Sequence, residues 1–307
     1  MRILVTGASG LLGLNFAIEA AKEHTIIGVV NQHPFRADTF EVRQVDLLAL
    51  GTVGALIDNV HPDWVVHCAA LANLEDCEAN PDLAHLTNGG LPGEIARQTF
   101  GRGIPLVHIS TDAVFDGQRG DYTENDIPNP LSVYSCTKLE GERAVADAYP
   151  EAIIARVNMF GWSLSGKRSL AEFFFYNLQA GNPIKGFTDV FFCPLLANDL
   201  AGVLLAMLEK ELSGLFHVVS SECMSKYDFG VAVAELFGFD PNLIAPTAVS
   251  EGGLKATRAR LLTLRSDKLA QALGRPLPNV TNGLARFYEL YQQGFPVQLR
   301  ESMVPIK

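Results

Sequence analysis

Three glycines near the start of the chain, Gly7, Gly10 and Gly13, constrain its fold more than any other feature. They follow a short apolar and β-branched run over residues 3–6 and precede a helix-like stretch over residues 11–22. In a strand–turn–helix unit the first glycine permits the tight turn, the second lets backbone approach a pyrophosphate, and the third lets helix pack closely on strand. The N–H groups at such a helix start favour phosphate. The unit therefore predicts a dinucleotide site, although the spacing is GxxGxxG and not the commoner GxGxxG.

The first 110 residues continue in the same alternation. The runs TIIGVV, DWVVHCAA and IPLVHIS read as strands, and residues 49–59 and 82–100 read as helices. Short continuous apolar strands that alternate with helices indicate a parallel sheet covered on both faces. We therefore expect an α/β fold with a doubly wound parallel sheet of the Rossmann type.

After residue 157 strands and helices no longer alternate regularly, so we expect the chain to form two domains. We assign residues 1–157 to a dinucleotide-binding domain and 158–307 mainly to a smaller substrate lobe, and we expect a segment around 190–210 to complete the sheet. In the later part, Asn198 or Asp199 is a candidate helix cap, and Ser225 is a candidate N-cap for the helix that follows it. The three phenylalanines at 173–175 are interpreted as core residues.

Composition excludes several classes of function. A net charge of −10 argues against nucleic acid and against an anionic membrane as partners. No apolar run reaches the length of a membrane span, and the first strand leaves no room for a signal peptide, so we expect a cytoplasmic protein. The five cysteines contain no CxxC pair and are expected to be reduced thiols. The seven histidines lack metal-ligand spacing, so no metal is expected, and His67 and His108 are interpreted as buried, satisfied side chains.

The segment after the second strand bears on the choice of cofactor. An NAD site would place an acidic residue there, whereas this chain has Asn31, followed by Arg36. Without a carboxylate to repel a 2′-phosphate, NADP is favoured over NAD. Arg36 is the candidate phosphate ligand, with an ordinary solvated loop charge as the alternative.

Tyr134 and Lys138 are four residues apart and share one face of a predicted helix. A lone YxxxK is weak evidence, but here it follows the glycine turn and then Thr111 at a strand end. We expect the lysine ammonium and the cationic nicotinamide to lower the pKa of Tyr134. Tyr134 would then protonate a carbonyl oxygen that Thr111 also contacts, and Lys138 would hold the nicotinamide ribose. An ordinary exposed helical pair is the alternative.

With these motifs in order, TGASGLLG, STDAVFDG and YSCTKLEGE, the chain resembles the extended short-chain dehydrogenase/reductase family over essentially its whole length. Within it, STDAVFDG, CEANPD and the segment ENDIPNPLSVYSCTKLEGE are most similar to the dTDP-4-dehydrorhamnose reductase branch. The same segments, and GLFHVVSSECMSKYDF, also resemble the regulatory beta subunit of methionine adenosyltransferase, which shares the fold and binds NADP.

The resemblance implies roles for particular residues. Catalysis falls to Thr111, Tyr134 and Lys138, and Tyr134 and Lys138 are counted among the cofactor contacts as well. The substrate end falls to Asn158, while Arg258 is a candidate for a substrate diphosphate with a solvated loop as the alternative. Asn88 matches the asparagine that stabilises the bend of the active-site helix and is counted with the cofactor residues. The remaining implied cofactor contacts are Gly7, Ser9, Gly10, Leu11, Leu12, Asp46, Leu47, Ala69, Ala70 and Leu71.

The sequence departs from the reductase pattern at three places. Leu71 and Ala72 stand where reductases usually have tyrosine and threonine, no tryptophan precedes the MFG segment, and RPxN reads RARL. The resemblance therefore implies an NAD(P)H-dependent reductase of a nucleotide-linked keto-sugar, active as a possible homodimer. The alternative is a non-catalytic NADP-binding regulatory subunit with a methionine adenosyltransferase partner. A sugar-nucleotide epimerase or dehydratase is less favoured, because a dehydratase would carry an acidic pair after the threonine, where only Asp112 is present.

Overall fold

The computed structural model describes residues 1–251 and 259–305. Its strands, in chain order, are β1 (Arg2–Thr6), β2 (Thr25–Val30), β3 (Phe35–Ala37), β4 (Glu41–Gln44), β5 (Trp64–His67), β6 (Leu106–Thr111), β7 (Ile153–Val157), β8 (Met159–Phe160), β9 (Ile184–Phe187), β10 (Phe191–Phe192), β11 (Leu195–Leu196), β12 (Gly214–Val218), β13 (Met224–Ser225), β14 (Ile244–Thr247), β15 (Leu261–Leu262) and β16 (Met303–Pro305). Seven of them form one parallel sheet in the order β12-β7-β6-β5-β1-β2-β4.

Helices connect these strands and cover the sheet. They are α1 (Leu11–Ala20), α2 (Thr52–Val60), α3 (Leu74–Ala79), α4 (Pro81–Ala84), α5 (Leu91–Phe100), α6 (Val133–Ala148), α7 (Leu170–Gln179), α8 (Ala197–Glu209), α9 (Lys226–Phe237), α10 (Asp267–Leu273), α11 (Val280–Gln292) and α12 (Phe295–Ser302). A π-helical turn (His85–Gly90) precedes α5, and a 3-10 turn (Asp112–Val114) follows β6.

The two faces of the sheet are buried in two separate cores. Ile3 and Val5 of β1 pack into one core together with α1 and α8, whereas Leu4 packs into the other with α2, α5 and α6. Alternate residues of a strand point to opposite faces, so a strand that is apolar throughout needs cover on both sides. The predicted doubly wound α/β fold is confirmed.

The strand that completes the sheet is β12, which pairs with β7, and not a segment around residues 190–210 as expected. Within that segment β11 pairs only with the short strand β8. The following residues form α8, because its buried residues Leu200, Val203, Leu204 and Met207 recur at helical spacing and pack towards α1.

The later part of the chain is centred on an aromatic cluster. The ring of Trp162 stacks on that of Phe287 at 4.0 Å, and its Nε1 donates to the Phe287 carbonyl oxygen at 3.0 Å. Phe174 and Phe175 are buried in this region, whereas Phe173 is 46% exposed. Two of the three predicted core phenylalanines therefore lie in the core.

One of the predicted caps is present and the other is not. The Ser225 hydroxyl accepts a hydrogen bond from the Asp228 backbone nitrogen at 3.0 Å and caps α9, as expected. Helix α8 begins after Leu196, so Asn198 and Asp199 lie in its first turn and do not cap it.

The expectation of reduced thiols is wrong for two of the five cysteines. Cys193 and Cys223 form a disulfide across 30 residues of sequence. The pairing of β10 with β13 brings them together, since Cys193 follows the first strand and Cys223 precedes the second. This antiparallel contact forms between distant segments, so cysteine spacing gives no indication of it.

Candidate active site

The glycine turn lies between β1 and α1, and backbone atoms pack closely against the positions that Cβ atoms would take. Gly7 has a φ of 68°, and a Cβ at this position would lie 2.6 Å from the Ala69 backbone nitrogen. A Cβ on Gly13 would collide with the Gly7 carbonyl oxygen. No side chain caps α1, and no acidic residue lies in its first turn. Its first N–H groups have no acceptor within the helix, so the turn suits the phosphates of a dinucleotide.

A cleft of about 370 Å³ extends from this turn along the ends of β2 and β5. No carboxylate directly follows β2, where Asn31 and His33 line the cleft. This composition is compatible with a 2′-phosphate on the bound nucleotide. The residues predicted for the cofactor that line this cleft are Gly7, Ser9, Gly10, Asn31, Asp46, Leu47, Ala69, Ala70 and Leu71.

Arg36 does not take part in this cleft. It is an exposed residue of β3, which pairs with β16 at the edge of the fold, and it is absent from the cleft lining. The sequence placed Arg36 only five residues after Asn31, but the intervening chain turns into β3 and leads it away. A phosphate role for Arg36 is therefore not supported.

Asn88 lies beneath the cleft and does not line it. Its Oδ1 accepts from the Leu71 backbone nitrogen at 2.9 Å, and its Nδ2 donates to the Leu71 carbonyl oxygen at 3.0 Å. The same nitrogen donates to Thr137 Oγ1 on α6 at 3.2 Å. This fully buried amide, within the π-helical turn, ties the cleft wall to the helix that carries Tyr134. Its part in cofactor binding would be indirect.

A single cavity of about 610 Å³ is lined by Thr111, Tyr134, Lys138 and Asn158. Thr111 ends β6, Asn158 directly follows β7, and the other two lie one turn apart on α6. Carboxyl ends of parallel strands meet at one edge of a sheet, so these elements converge there. The cavity adjoins the dinucleotide cleft, and the predicted residues Leu11 and Leu12 lie in its wall.

Lys138 turns its ammonium towards the sheet. Its Nζ donates to the Ile109 carbonyl oxygen at 2.6 Å, and the residue is 3% exposed. Burial lowers the pKa of Lys138 to about 8, while the negative charge of Glu142 opposes that shift.

The side chains around Tyr134 do not by themselves lower its pKa, and the further effect expected from a cationic nicotinamide stays a prediction. Burial raises the pKa of Tyr134 to about 12, an interaction with the Thr111 hydroxyl opposes the shift, and the charge of Asp112 adds to it. Lys138, whose Nζ donates to the Ile109 carbonyl oxygen of β6, is not among the groups that lower the pKa of Tyr134. Tyr134 therefore keeps its proton at neutral pH, which suits a proton donor.

A basic loop at the mouth of both cavities was missed by the sequence reasoning. Lys167 and Arg168 line the catalytic cavity, and Arg168 also lines the dinucleotide cleft. The loop is anchored by Glu172, whose Oε2 accepts from the Arg168 backbone nitrogen at 2.9 Å. Two adjacent cations in an acidic chain were the available indication, but nothing in the sequence placed them beside the glycine turn.

The remaining predictions concern Arg258 and the histidines. Arg258 lies outside the described residues. His67 and His108 are both buried, and His67 Nδ1 lies 2.7 Å from Thr6 Oγ1, but His67 Nε2 and both His108 ring nitrogens have no hydrogen-bond partner among the described residues. Burial lowers the pKa of His67 to about 3, so its ring is neutral.

Over residues 1–251 and 259–305 there is no side-chain group suited to a metal ion, and no helix long and apolar enough to cross a bilayer.

The chain is similar in sequence to known proteins over most of its length. Residues 1–293 match the family described as RmlD substrate binding domain. The chain is 34% identical over 294 residues to the probable low-salt glycan biosynthesis reductase of Haloferax volcanii, covering 93% of this chain and 96% of that one.

Two further similarities concern the choice between a regulatory subunit and a reductase. The chain is 33% identical over 256 residues to methionine adenosyltransferase 2 subunit beta of Mus musculus, covering 80% of this chain and 75% of that one. The crystal structure of a dTDP-4-dehydrorhamnose reductase from Clostridium acetobutylicum superimposes with a TM-score of 0.82 at 28% identity, covering 95% of this chain and 100% of that one.

Proposed function

The chain belongs to the RmlD substrate binding domain family, and on this premise we propose that it is an NAD(P)H-dependent reductase of a nucleotide-linked keto-sugar, similar to dTDP-4-dehydrorhamnose reductases. The observation that carries the proposal is the meeting of Thr111, Tyr134 and Lys138 in one cavity that adjoins a glycine-lined dinucleotide cleft. A regulatory nucleotide site needs the cleft alone, whereas carbonyl reduction needs both.

The residues of the cavity divide the chemistry between them. Tyr134 holds a proton at neutral pH and donates it from its hydroxyl to the carbonyl oxygen of the sugar. Lys138, fixed to the Ile109 carbonyl oxygen, has further N–H groups with which to hold the nicotinamide ribose. When bound, NADPH supplies the hydride that reaches the carbonyl carbon. Addition of hydride and proton converts the C=O group into CH–OH.

The substrate end of the cavity fits a sugar joined to a diphosphate. Asn158 offers an amide at the inner end, and Lys167 and Arg168 offer two cations at the mouth. Charge-assisted bonds from such cations suit phosphate oxygens. In a chain with a net charge of −10, a local basic loop is what an anionic substrate requires.

The preference for NADP rests on the uncharged residues after β2. An Asn31→Asp variant would place a carboxylate beside the 2′-phosphate, and we expect its Kd for NADPH to rise about tenfold while its Kd for NADH changes little. Fluorescence titration of both nucleotides measures the two constants. Asn182→Asp, which adds the same charge at an exposed loop position, should alter neither. Equal weakening of NADPH and NADH would contradict the assignment.

The reductase function is tested by adding a panel of keto-sugar nucleotides to the protein with bound NADPH. Oxidation of NADPH with any of them supports the proposal, and the relative kcat/KM values identify the sugar and the base. Tight NADPH binding without turnover of any panel member would overturn it.

The similarity to methionine adenosyltransferase 2 subunit beta supports a second candidate. As such a subunit the chain would bind NADP and a methionine adenosyltransferase, and Tyr134 would take no part in catalysis. The missing tryptophan before the MFG segment and the loss of the RPxN pattern, which reads RARL here, favour it. The reductase is expected to form a homodimer, whereas the regulatory subunit is expected to bind a methionine adenosyltransferase. Light scattering of the protein by itself, and then of the protein with an added methionine adenosyltransferase, therefore separates the two candidates.

A further inference from the structure

Arg168 is the one lysine or arginine that the structure, over residues 1–251 and 259–305, places in the lining of the dinucleotide cleft. The same lining contains the carboxylic acids Asp46 and Asp76, whose charges oppose a bound anion. The backbone N–H groups of the glycine turn donate to phosphate but carry no net charge. The phosphates of a dinucleotide therefore have a single permanent positive charge available to them in this cleft.

The position of Arg168 corresponds to one part of the dinucleotide. It lies where the cleft meets the catalytic cavity and lines both spaces, as do Gly10, Ala70 and Ala72. Gly10 is the glycine that lets backbone approach a pyrophosphate. Asn31, at the end of the cleft that suits a 2′-phosphate, lines the cleft but not the cavity. Arg168 thus lies beside the pyrophosphate position and not beside the 2′-phosphate position.

The backbone of Arg168 is held in this place by a buried carboxylate. Glu172 is fully buried, and its Oε1 accepts from the Ser163 backbone nitrogen at 2.6 Å while its Oε2 accepts from that of Arg168 at 2.9 Å. One side chain therefore fixes both ends of the loop. Just before the loop, Asn15 Nδ2 of α1 donates to the Trp162 carbonyl oxygen at 3.0 Å. This bond ties the loop to the helix that follows the glycine turn.

The guanidinium of Arg168 has donors to offer a ligand. Among the described residues no hydrogen bond or ion pair engages it, and the residue is exposed. Arg156 and Arg286, by contrast, each meet a carboxylate. A planar guanidinium can give two parallel N–H bonds to a phosphate group, and a backbone that is already fixed lowers the entropic cost of forming them.

We propose that Arg168 binds the pyrophosphate of the dinucleotide and that Lys167 serves the diphosphate of the sugar nucleotide. Lys167 lines the catalytic cavity but not the dinucleotide cleft. Two neighbouring cations on one loop thus serve two different ligands. The assignment of Lys167 rests on the proposed reductase function, whereas that of Arg168 requires only that a dinucleotide binds.

An Arg168→Met variant removes the charge without breaking any side-chain contact among the described residues. We expect its Kd values for NADPH and NADH to rise together by about tenfold, because the pyrophosphate is common to both. Its Kd for adenosine 2′-monophosphate, which has no pyrophosphate, should stay within about twofold of wild type. Isothermal titration calorimetry measures the three constants. Arg143→Met, which removes an exposed arginine of α6 outside both spaces, should change none of them.

Two results would overturn the role of Arg168. The first is unchanged affinity for both dinucleotides. The second is weaker binding of NADPH and of adenosine 2′-monophosphate with NADH unaffected, because that pattern would move the contact to the 2′-phosphate. Asn31→Asp is expected to weaken NADPH alone, so the two variants separate the two phosphate positions.

Lys167 is tested with thymidine diphosphate and uridine diphosphate as probes, each titrated into protein saturated with NADP⁺. Lys167→Met should raise the Kd of a probe that binds by about tenfold and leave the Kd for NADPH within about twofold, while Arg168→Met should show the reverse. Equal loss of probe affinity in the two variants would overturn the division between two ligands. If neither diphosphate binds the wild-type protein, the assignment of Lys167 falls with the reductase function, and the dinucleotide titrations still decide the role of Arg168.

Discussion

A Tyr134→Phe variant is expected to reduce keto-sugar nucleotides at about one-hundredth to one ten-thousandth of the wild-type kcat. The substitution removes one oxygen atom, and with it the proton that the carbonyl oxygen must receive. The ring stays, so the wall of the cavity and the cleft for the dinucleotide keep their shape. Stopped-flow measurement of NADPH oxidation under single-turnover conditions separates this chemical step from product release.

Two comparisons make the result specific to the hydroxyl of Tyr134. The Kd for NADPH should stay within about twofold of wild type, because the residues that line the glycine cleft do not include Tyr134. Tyr149→Phe removes the corresponding oxygen at the far end of the same helix, outside the cavity, and should leave kcat unchanged. Full activity in the Tyr134→Phe protein would show that the proton comes from elsewhere.

The sheet could be predicted because its physical cause is local. Each central strand is a short apolar run with cover on both faces, as Ile3, Leu4 and Val5 illustrate, and runs of this kind are visible in the sequence. The glycine turn could be predicted for the same reason, since the positive φ of Gly7 and the close approach at Gly13 demand that residue type.

The sequence was least informative where distant segments decide the outcome. Arg36 is near Asn31 in sequence, but β3 pairs with β16 at the other end of the chain and holds it away from the cleft. The disulfide of Cys193 depends on the pairing of β10 with β13. No pattern of neighbouring residues in the sequence indicates either contact.

The electrostatics of the site were predicted least well. Spacing showed that Tyr134 and Lys138 share a face of α6, and from this we expected the ammonium to act on the phenol. It could not show that Lys138 donates to the Ile109 carbonyl oxygen, or that burial would dominate the pKa of Tyr134. The direction of a long side chain and the depth of burial are set by the packing of α6 on the sheet, which sequence spacing does not describe.

Glu142→Gln is expected to lower the free energy of unfolding by about 3–5 kcal/mol. Glu142 lies one turn beyond Lys138 on α6, and its carboxylate meets Arg156 of β7 through two bonds of 2.9 and 2.8 Å. Ser110 also donates to it, at 2.6 Å. The two charged side chains are only 6% and 3% exposed, so the amide would leave the guanidinium buried without a counter-charge. Urea denaturation followed by circular dichroism measures the loss.

The matched control is Glu140→Gln on the same helix. Glu140 is 45% exposed and pairs with His85 at the surface, where an ion pair contributes little, so the loss should be below about 1 kcal/mol.

A double variant, Glu142→Met with Arg156→Met, tests whether the cost comes from the stranded charge. Replacing a buried ion pair by apolar side chains of similar volume is often neutral or stabilising, so the double variant should regain most of the stability that Glu142→Gln loses. Its catalysis should still suffer, because the charge of Glu142 supports the protonated form of Lys138. Recovery of stability, together with a kcat that falls at lower pH than in wild type as Lys138 loses its proton, would separate the two roles of Glu142. A double variant as unstable as Glu142→Gln would show that shape, and not charge, holds α6 to the sheet.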